Sequence, residues 1–174
     1  MTKRREVVDG QVRWFDDDSL TEFWHVKATV LSDGAQQALG LVAYWAALLE
    51  QQMEIALIDL MFGLAHYERG RVMTRDLAAT AMIQRCKALV KLETPEDAGA
   101  LHALEKAATA LQKRNGILHG AMGGHLSEGM VSVRNRKLGS ISEASEADIL
   151  AVAEAVFDAW MTVGNVPWHE VAKH

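Results

Sequence analysis

An arginine, an asparagine and a histidine lie close together near residue 115, and their side chains could act on a phosphate group. They are Arg114, Asn115 and His119, in the sequence Arg-Asn-Gly-Ile-Leu-His-Gly. A guanidinium can hold a phosphate bidentately and stabilise the negative charge that gathers on its oxygens. An imidazole can take a proton from a hydroxyl or give one to a leaving oxygen near neutral pH. These residue types permit cleavage of RNA without a metal, with the ribose 2′-hydroxyl as the nucleophile.

The same residues also have structural interpretations. A histidine in the last turn of a helix complements the helix macrodipole, and a buried asparagine can fix the register of packed helices. An arginine followed five residues later by a histidine is expected about 0.4 times by chance in a chain of this composition. The residue types alone therefore leave catalysis and structure as open alternatives.

The helix that carries these residues predicts where their side chains lie. An apolar stripe steps by three and four residues from Leu101 to Leu118, with Asn115 where a leucine is expected. Arg114 and His119 flank this stripe, at the positions that border a helix–helix seam. Residues five apart on an ideal helix are rotated by about 140°, so Arg114 and His119 do not share a face. We therefore expect a composite site, with one side chain from each of two copies in a homodimer.

Charge is unevenly distributed along the chain. Residues 101–140 carry six basic and two acidic side chains, a balance of +4, whereas residues 142–172 carry six acidic side chains and no Lys or Arg. The net charge of the whole chain, −5, does not indicate nucleic-acid binding. A local positive field could still hold an RNA backbone, although ordinary variation of surface charge explains the balance equally well. The candidate contacts to RNA phosphates are Lys113, Arg134, Arg136 and Lys137.

Length and composition restrict the class of protein. The chain has 174 residues, 49% of them hydrophobic, with two prolines and one cysteine. This size and composition predict a single all-α domain with its own hydrophobic core. The cysteine, Cys86, cannot form an internal disulfide and is expected to be a core thiol in a reducing compartment. Polar residues interrupt every long apolar run and no signal segment begins the chain, so we expect a cytoplasmic protein without membrane contact.

Periodicity predicts an up-and-down bundle of four to five helices. Residues 1–18 are expected to form a flexible N-terminal arm, and residues 19–174 a single helical domain. A short extended stretch is predicted near 130–141. The predicted helices cover residues 19–31, 36–66, 74–92, 95–119 and 145–163.

Local signals add detail to these helices. Thr94 followed by Pro95 predicts the start of the motif helix, and Ser145 with Asp148 is typical of a helix N-terminus. Residues 67–73, which include a glycine, are expected to break the helical pattern. The stretch 39–49 is apolar nearly all round, which is typical of a central helix, so Tyr44 is expected inside the bundle.

Several standard sites are excluded because their spacing is missing. The sequence has no Gly-Lys-Ser/Thr loop, no paired-cysteine site and no His-Glu-x-x-His helix. The glycines after His119 do not follow a strand, so a dinucleotide-binding fingerprint is excluded as well. We therefore predict neither a cofactor nor a metal site.

The motif resembles that of a known family. Arg114-Asn115-x-x-x-His119, late in a helix of an all-α chain, resembles the Arg-Asn-x-x-x-His motif of HEPN domains, the "higher eukaryotes and prokaryotes nucleotide-binding" superfamily. The resemblance extends more loosely over residues 36–163. Within that range it includes Trp45, Glu50 and Lys87.

The resemblance implies a dimeric helical bundle in which the motifs of two subunits adjoin. It implies a metal-independent endoribonuclease of a toxin–antitoxin or phage-defence system, which in some cases is paired with a nucleotidyltransferase antitoxin. Arg114 would then bind the phosphate, His119 would be the acid–base group, and Asn115 would orient the pair or the helix. Lys113 would be an auxiliary phosphate contact, and Gly116 would loosen the turn.

Some members of this family are non-catalytic. The alternative is therefore a helical dimer that binds a partner protein or a nucleotide through the same seam.

Overall fold

A computed structural model describes residues 3–8, 11–16, 31–124, 130–134 and 141–171. The helices are α1 (Asp33–Phe62), α2 (Tyr67–Thr74), α3 (Ala79–Glu93), α4 (Ala98–Gly120), α5 (Glu146–Gly164) and α6 (Trp168–Val171), with a 3-10 turn at Leu64–His66. The strands are β1 (Lys3–Val8), β2 (Gln11–Asp16), β3 (Ala121–Gly124), β4 (Met130–Arg134) and β5 (Ile141–Ser145). The described part of the chain is predominantly helical, which confirms the predicted all-α helical bundle.

The bundle is organised around α1, which packs against each of the other five helices named above. α4 in turn packs against α1, α3 and α5. Burial of each large apolar side chain in such a core contributes about 1.5–3 kcal/mol. The largest fully buried side chains are Leu49, Met53, Leu57, Ile58, Ile83, Leu104, Ile149, Val42, Val90, Val156 and Val163.

A smaller second cluster holds the end of α4 that carries the motif. Val42 of α1 and Ile149 of α5 are fully buried in it, together with neighbouring alanines. Ile117 and Leu118, between Asn115 and His119, pack against this cluster from α4. The motif is therefore anchored to the N-terminal halves of α1 and α5.

Two small antiparallel sheets accompany the helices. β1 and β2 form a hairpin, and β3, β4 and β5 form a second sheet with β4 in the middle. β4 lies within the extended stretch predicted near 130–141, whereas the pairing of β1 with β2 was not predicted. The division into an arm and a domain stays a prediction, and the helix predicted at 19–31 falls almost wholly outside the described residues.

The predicted break at 67–73 is wrong, because these residues form α2. Gly70 does not interrupt the helix but allows close packing. A Cβ atom at this position would lie 2.6 Å from Cγ2 of Ile58, which is fully buried in α1. At the end of α2, the Thr74 hydroxyl donates to Oε1 of Glu54 at 2.8 Å and further attaches it to α1.

Two predicted helix starts also need correction. α4 begins at Ala98, and the carboxylate of Asp97 accepts a hydrogen bond from the Ala100 backbone N–H at 2.8 Å. Thr94, the predicted cap, lies outside the helix, and its hydroxyl donates to the carbonyl of Val171 at 3.4 Å. Similarly, Thr74 ends α2, and α3 starts five residues later at Ala79.

The N-terminus of α5 is confirmed as predicted. Ser145 and Asp148 form a capping box, in which the Ser145 hydroxyl accepts from the Asp148 N–H at 3.1 Å. The Ser145 side chain and backbone both donate to the Asp148 carboxylate, and these hydrogen bonds lower the pKa of that group. The box satisfies N–H groups that would otherwise lack partners at the start of the helix.

The prediction that Tyr44 lies inside the bundle is wrong. Its side chain is 58% exposed, and the neighbouring Leu41 is 37% exposed. α1 is central to the fold, yet one apolar side of it faces solvent within the described chain. None of the helices in the described ranges is long and apolar enough to cross a membrane.

Glycine substitutions test the packing of α2 on α1. Gly70→Ala should lower the free energy of unfolding by about 1–3 kcal/mol, because the new methyl group must displace Ile58. Gly116→Ala is the matched control, since nothing lies within 4 Å of a Cβ at that helical position. It should raise stability by up to about 1 kcal/mol. Urea unfolding measures both, and equal effects would contradict the close approach of Gly70 to Ile58.

Candidate functional site

The three motif residues lie in the last two turns of α4, which is a continuous helix through Gly116. Arg114 has a largely buried side chain that is 18% exposed, whereas Asn115 and His119 are exposed. The motif therefore spans both sides of one helix. One cation points inward, and an amide and an imidazole point towards solvent.

The placement of Asn115 in the buried stripe is wrong for the described chain. The most buried side of α4 is rich in alanines, among them Ala103, Ala107 and Ala110, each at most 3% exposed. Continuing by four residues from Ala110 reaches Arg114, not Asn115. Leu104 and Leu111 of the predicted stripe are buried on this face as well, whereas Leu101, Ala108 and Asn115, spaced seven residues apart, lie at its edge because an α-helix drifts by about 20° per heptad from a strict seven-residue repeat. Arg114 thus occupies the inward position.

Glu50 of α1 is the counter-charge for this inward arginine. Nη2 of Arg114 donates a hydrogen bond to Oε1 of Glu50, and Nη1 donates to Oδ1 of Asn115 at 2.8 Å. A cation on a buried helix face is costly unless it is paired and hydrogen-bonded. Glu50 therefore explains how α4 tolerates Arg114 there, and it joins α4 to α1 beside the motif.

The guanidinium is not fully satisfied by these two partners. Nε of Arg114 is buried and has no hydrogen-bond partner among the described residues. A guanidinium carries five N–H donors in a planar fork, and the described contacts engage only its two terminal nitrogens. The side chain is 18% exposed, and Nε does not belong to the exposed part.

His119 cannot easily meet Arg114 of its own chain. The two residues are five apart, which rotates their side chains by about 140° on the continuous helix α4. Asn115 and His119 are four apart and share the exposed side. The geometry of one chain therefore separates the cation from the imidazole, as expected if a composite site draws on two copies.

Lys113 lies on another side of α4, in a groove between α4 and α5 with a volume of about 490 Å³. Within this groove, Lys106 Nζ is 2.6 Å from Asp158 Oδ2 and donates to the Thr162 hydroxyl at 3.1 Å. Because Lys106 is already paired, its charge is largely neutralised. Lys113 itself is exposed and about one helical step from Arg114.

The side chains of the other predicted RNA contacts are not among those that the structure describes. Arg134 ends β4, whose backbone packs against α4, but its side chain lies outside the description. Arg136 and Lys137 fall between the described ranges 130–134 and 141–171. Their roles stay predictions.

The residues of the looser resemblance lie in different environments. Glu50 contacts the motif directly, whereas Lys87 of α3 is 3.9 Å from Glu105, nine residues before Arg114. Trp45 packs in an aromatic cluster between α1 and α5. The pairing of Glu50 with Arg114 was not predicted. The one sequence feature that marks Glu50 for a special role is that it is the first charged residue after the sixteen uncharged residues 34–49.

The groups that could bind a metal or attack a substrate are few in the described ranges. No cluster of three His, Cys, Asp or Glu side chains suited to a metal occurs there. Cys86 is buried in the core, and this burial raises the pKa of its thiol to about 12. Because the thiolate is the reactive form, Cys86 is a structural core residue and not a nucleophile.

No family model matches the chain, and neither a curated protein nor a solved structure matches it.

A double-mutant cycle tests the pairing of α1 with the motif. Glu50→Gln, Arg114→Gln and the double variant should reveal a coupling of about 1 kcal/mol in the free energy of unfolding, because each single change leaves a partly buried charge unpaired. The pair Arg75–Asp76 is the control, since its side chains are 72% and 91% exposed, and its coupling should be near zero. A coupling at Glu50–Arg114 no larger than in the control would contradict the pairing.

Proposed function

We propose that the chain is a metal-independent endoribonuclease of the HEPN type, an effector of a toxin–antitoxin or phage-defence system in the cytoplasm. The observation that carries this proposal is the Arg-Asn-x-x-x-His motif at the end of α4, in a helical bundle where Glu50 holds Arg114. Its site is composite, with Arg114 of one copy and His119 of the other. A nucleotidyltransferase antitoxin is the proposed partner.

In the proposed reaction the ribose 2′-oxygen attacks the adjacent phosphorus, and the bond from phosphorus to the 5′-oxygen breaks. His119 moves one proton, either from the 2′-hydroxyl as a base or to the 5′-oxygen as an acid, and water accepts or supplies the other. Arg114 stabilises the charge on the non-bridging oxygens, and Lys113 contacts a neighbouring phosphate. The products are a 2′,3′-cyclic phosphate and a 5′-hydroxyl.

The contacts of Arg114 support its role in this scheme. Glu50 and Asn115 fix two nitrogens of the guanidinium, so little rotational freedom has to be lost when a phosphate binds. A preorganised donor is more effective than a mobile one, because its orientation needs no rearrangement during the reaction. Asn115 therefore acts as an orienting residue, and Glu50 supports it from α1.

The second candidate is a non-catalytic helical dimer that binds a partner protein or a nucleotide. The observation that favours it is that Glu50 already neutralises Arg114, while His119 points to another side of α4. In this candidate the Arg114–Glu50 pair is structural, and the exposed residues Asn115 and His119 contact the ligand.

An RNA-cleavage assay in EDTA decides between the two candidates. The protein should cut RNA and leave 2′,3′-cyclic phosphate ends. His119→Ala should lower the rate about 10²–10⁴-fold because the proton transfer is lost, and Arg114→Ala about 10²–10³-fold because transition-state charge is no longer stabilised.

His102→Ala is the matched control, since His102 is an exposed histidine on the same helix and lies 17 residues before His119. Its rate should equal that of the wild type. Cleavage that survives both His119→Ala and Arg114→Ala would refute the site. An inert wild type, assayed with the products of neighbouring genes present as candidate activators, would favour the second candidate.

A further inference from the structure

One surface of α1 and α5 is apolar although it faces solvent. Tyr44 and Leu41 of α1 are 58% and 37% exposed, and Phe157 and Met161 of α5 are 39% and 43% exposed. Gly40 and Ala47 are also exposed and lie one turn on either side of Tyr44. We call these six residues the α1–α5 face.

The aromatic side chains of this face pack against a pair of partly buried tryptophans. The ring of Trp45 meets Tyr44 and Phe157 edge to face, with centroid distances of 4.9 and 4.7 Å, and Trp160 lies 5.5 Å from Trp45. Trp45 and Trp160 are themselves partly buried against the core. The exposed rings are therefore rigid, so a partner that covers them pays little conformational entropy.

The α1 part of this face has no charged side chain that would favour its exposure to water. Residues 34–49 contain no Asp, Glu, Lys or Arg, although several of them are exposed. Protein interfaces are depleted of charge at their centres and enriched in Tyr, Trp, Phe and Met. The α1 half of the α1–α5 face has this composition, whereas on α5 the exposed Glu154 and Asp158 lie beside Phe157 and Met161.

We infer that a second copy of this chain covers the α1–α5 face. In a symmetric dimer each surface meets itself, so a charged face would bring like charges together. With a net charge of −5, two copies repel each other at long range, so an uncharged surface is a favourable place for them to meet. The uncharged stretch of α1 meets this requirement.

The shape of α1 is complementary to its own copy. A Cβ atom at Gly40 would find nothing within 4 Å, so the helix has an open notch there, one turn before the bulky Tyr44. When two α1 helices pair antiparallel about a two-fold axis, Tyr44 lies over the partner's Gly40. The symmetry repeats this contact in reverse.

The available area is sufficient for a specific dimer. An uncharged helical stretch of this length spans about 24 Å, and together with the neighbouring α5 it is about 20 Å wide. Two such faces would bury about 1,000 Å² in total, which is the lower limit for a specific interface.

This interface also borders the motif. Ala47 lies one turn before Glu50, which binds Arg114, so a copy docked on the α1–α5 face would reach the edge of the site. The purpose of the dimer rests on the proposed function, whereas the surface itself is inferred from the exposed residues of α1 and α5. Its test measures association and not cleavage.

Sedimentation velocity of the full chain tests the inference. The wild type should be a dimer at micromolar concentration. Tyr44→Asp and Tyr44→Lys should each weaken association at least about thirtyfold, the effect of losing a central aromatic contact. An equimolar mixture of the two variants should associate again, because opposite charges then lie about one helical turn apart on either side of the two-fold axis.

Gln84→Asp adds a charge at an exposed position of α3 and should leave the dimer intact. Circular dichroism verifies folding, and Ala47→Glu, on the same face, replaces Tyr44→Asp if that variant does not fold. A monomeric wild type, or a dimer that these substitutions leave intact, would overturn the inference. A dimer that dissociates as expected but cuts no RNA would refute only the ribonuclease proposal.

Discussion

The pairing of Arg114 with Glu50 is the interaction on which the arrangement of the motif depends. It places a cation on the side of α4 that is otherwise apolar and rich in alanines, and it satisfies that cation from α1. Alanines allow α4 to pack closely, whereas an arginine without a counter-charge would force the helices apart or leave a desolvated charge. The position of Glu50 on α1 therefore fixes how the motif end of α4 is held.

Because Glu50 holds Arg114 on the inward side, the two sides of α4 have different roles. The inward side of α4 holds Arg114 with little freedom, and the outward side presents Asn115 and His119 to solvent. Proton transfer needs a group that reaches the substrate, whereas charge stabilisation benefits from a group that cannot move. The proposed composite site meets both needs, because one chain supplies Arg114 and the other supplies His119, which do not share a face within one helix.

The sequence predicted more of the fold than of the side-chain contacts. Periodicity identified the long helices, and the Ser145 cap was predicted correctly because its signal is local. Gly70 was misinterpreted as a helix breaker, because its contact with Ile58 depends on tertiary packing. Asn115 was placed in the stripe because the count by three and four residues was continued beyond Leu111, whereas the buried alanines Ala107 and Ala110 lead to Arg114. The pairing of Arg114 with Glu50 spans 64 residues, and periodicity within one helix contains no information about such a contact.

The most direct test of the account is complementation between two inactive variants. Arg114→Ala and His119→Ala chains, coexpressed and purified together, form mixed dimers in which one of the two sites has both side chains intact. Random pairing should then restore about a quarter of the wild-type rate of RNA cleavage in EDTA. A mixture that is no more active than the two variants measured separately would contradict a site shared between two chains.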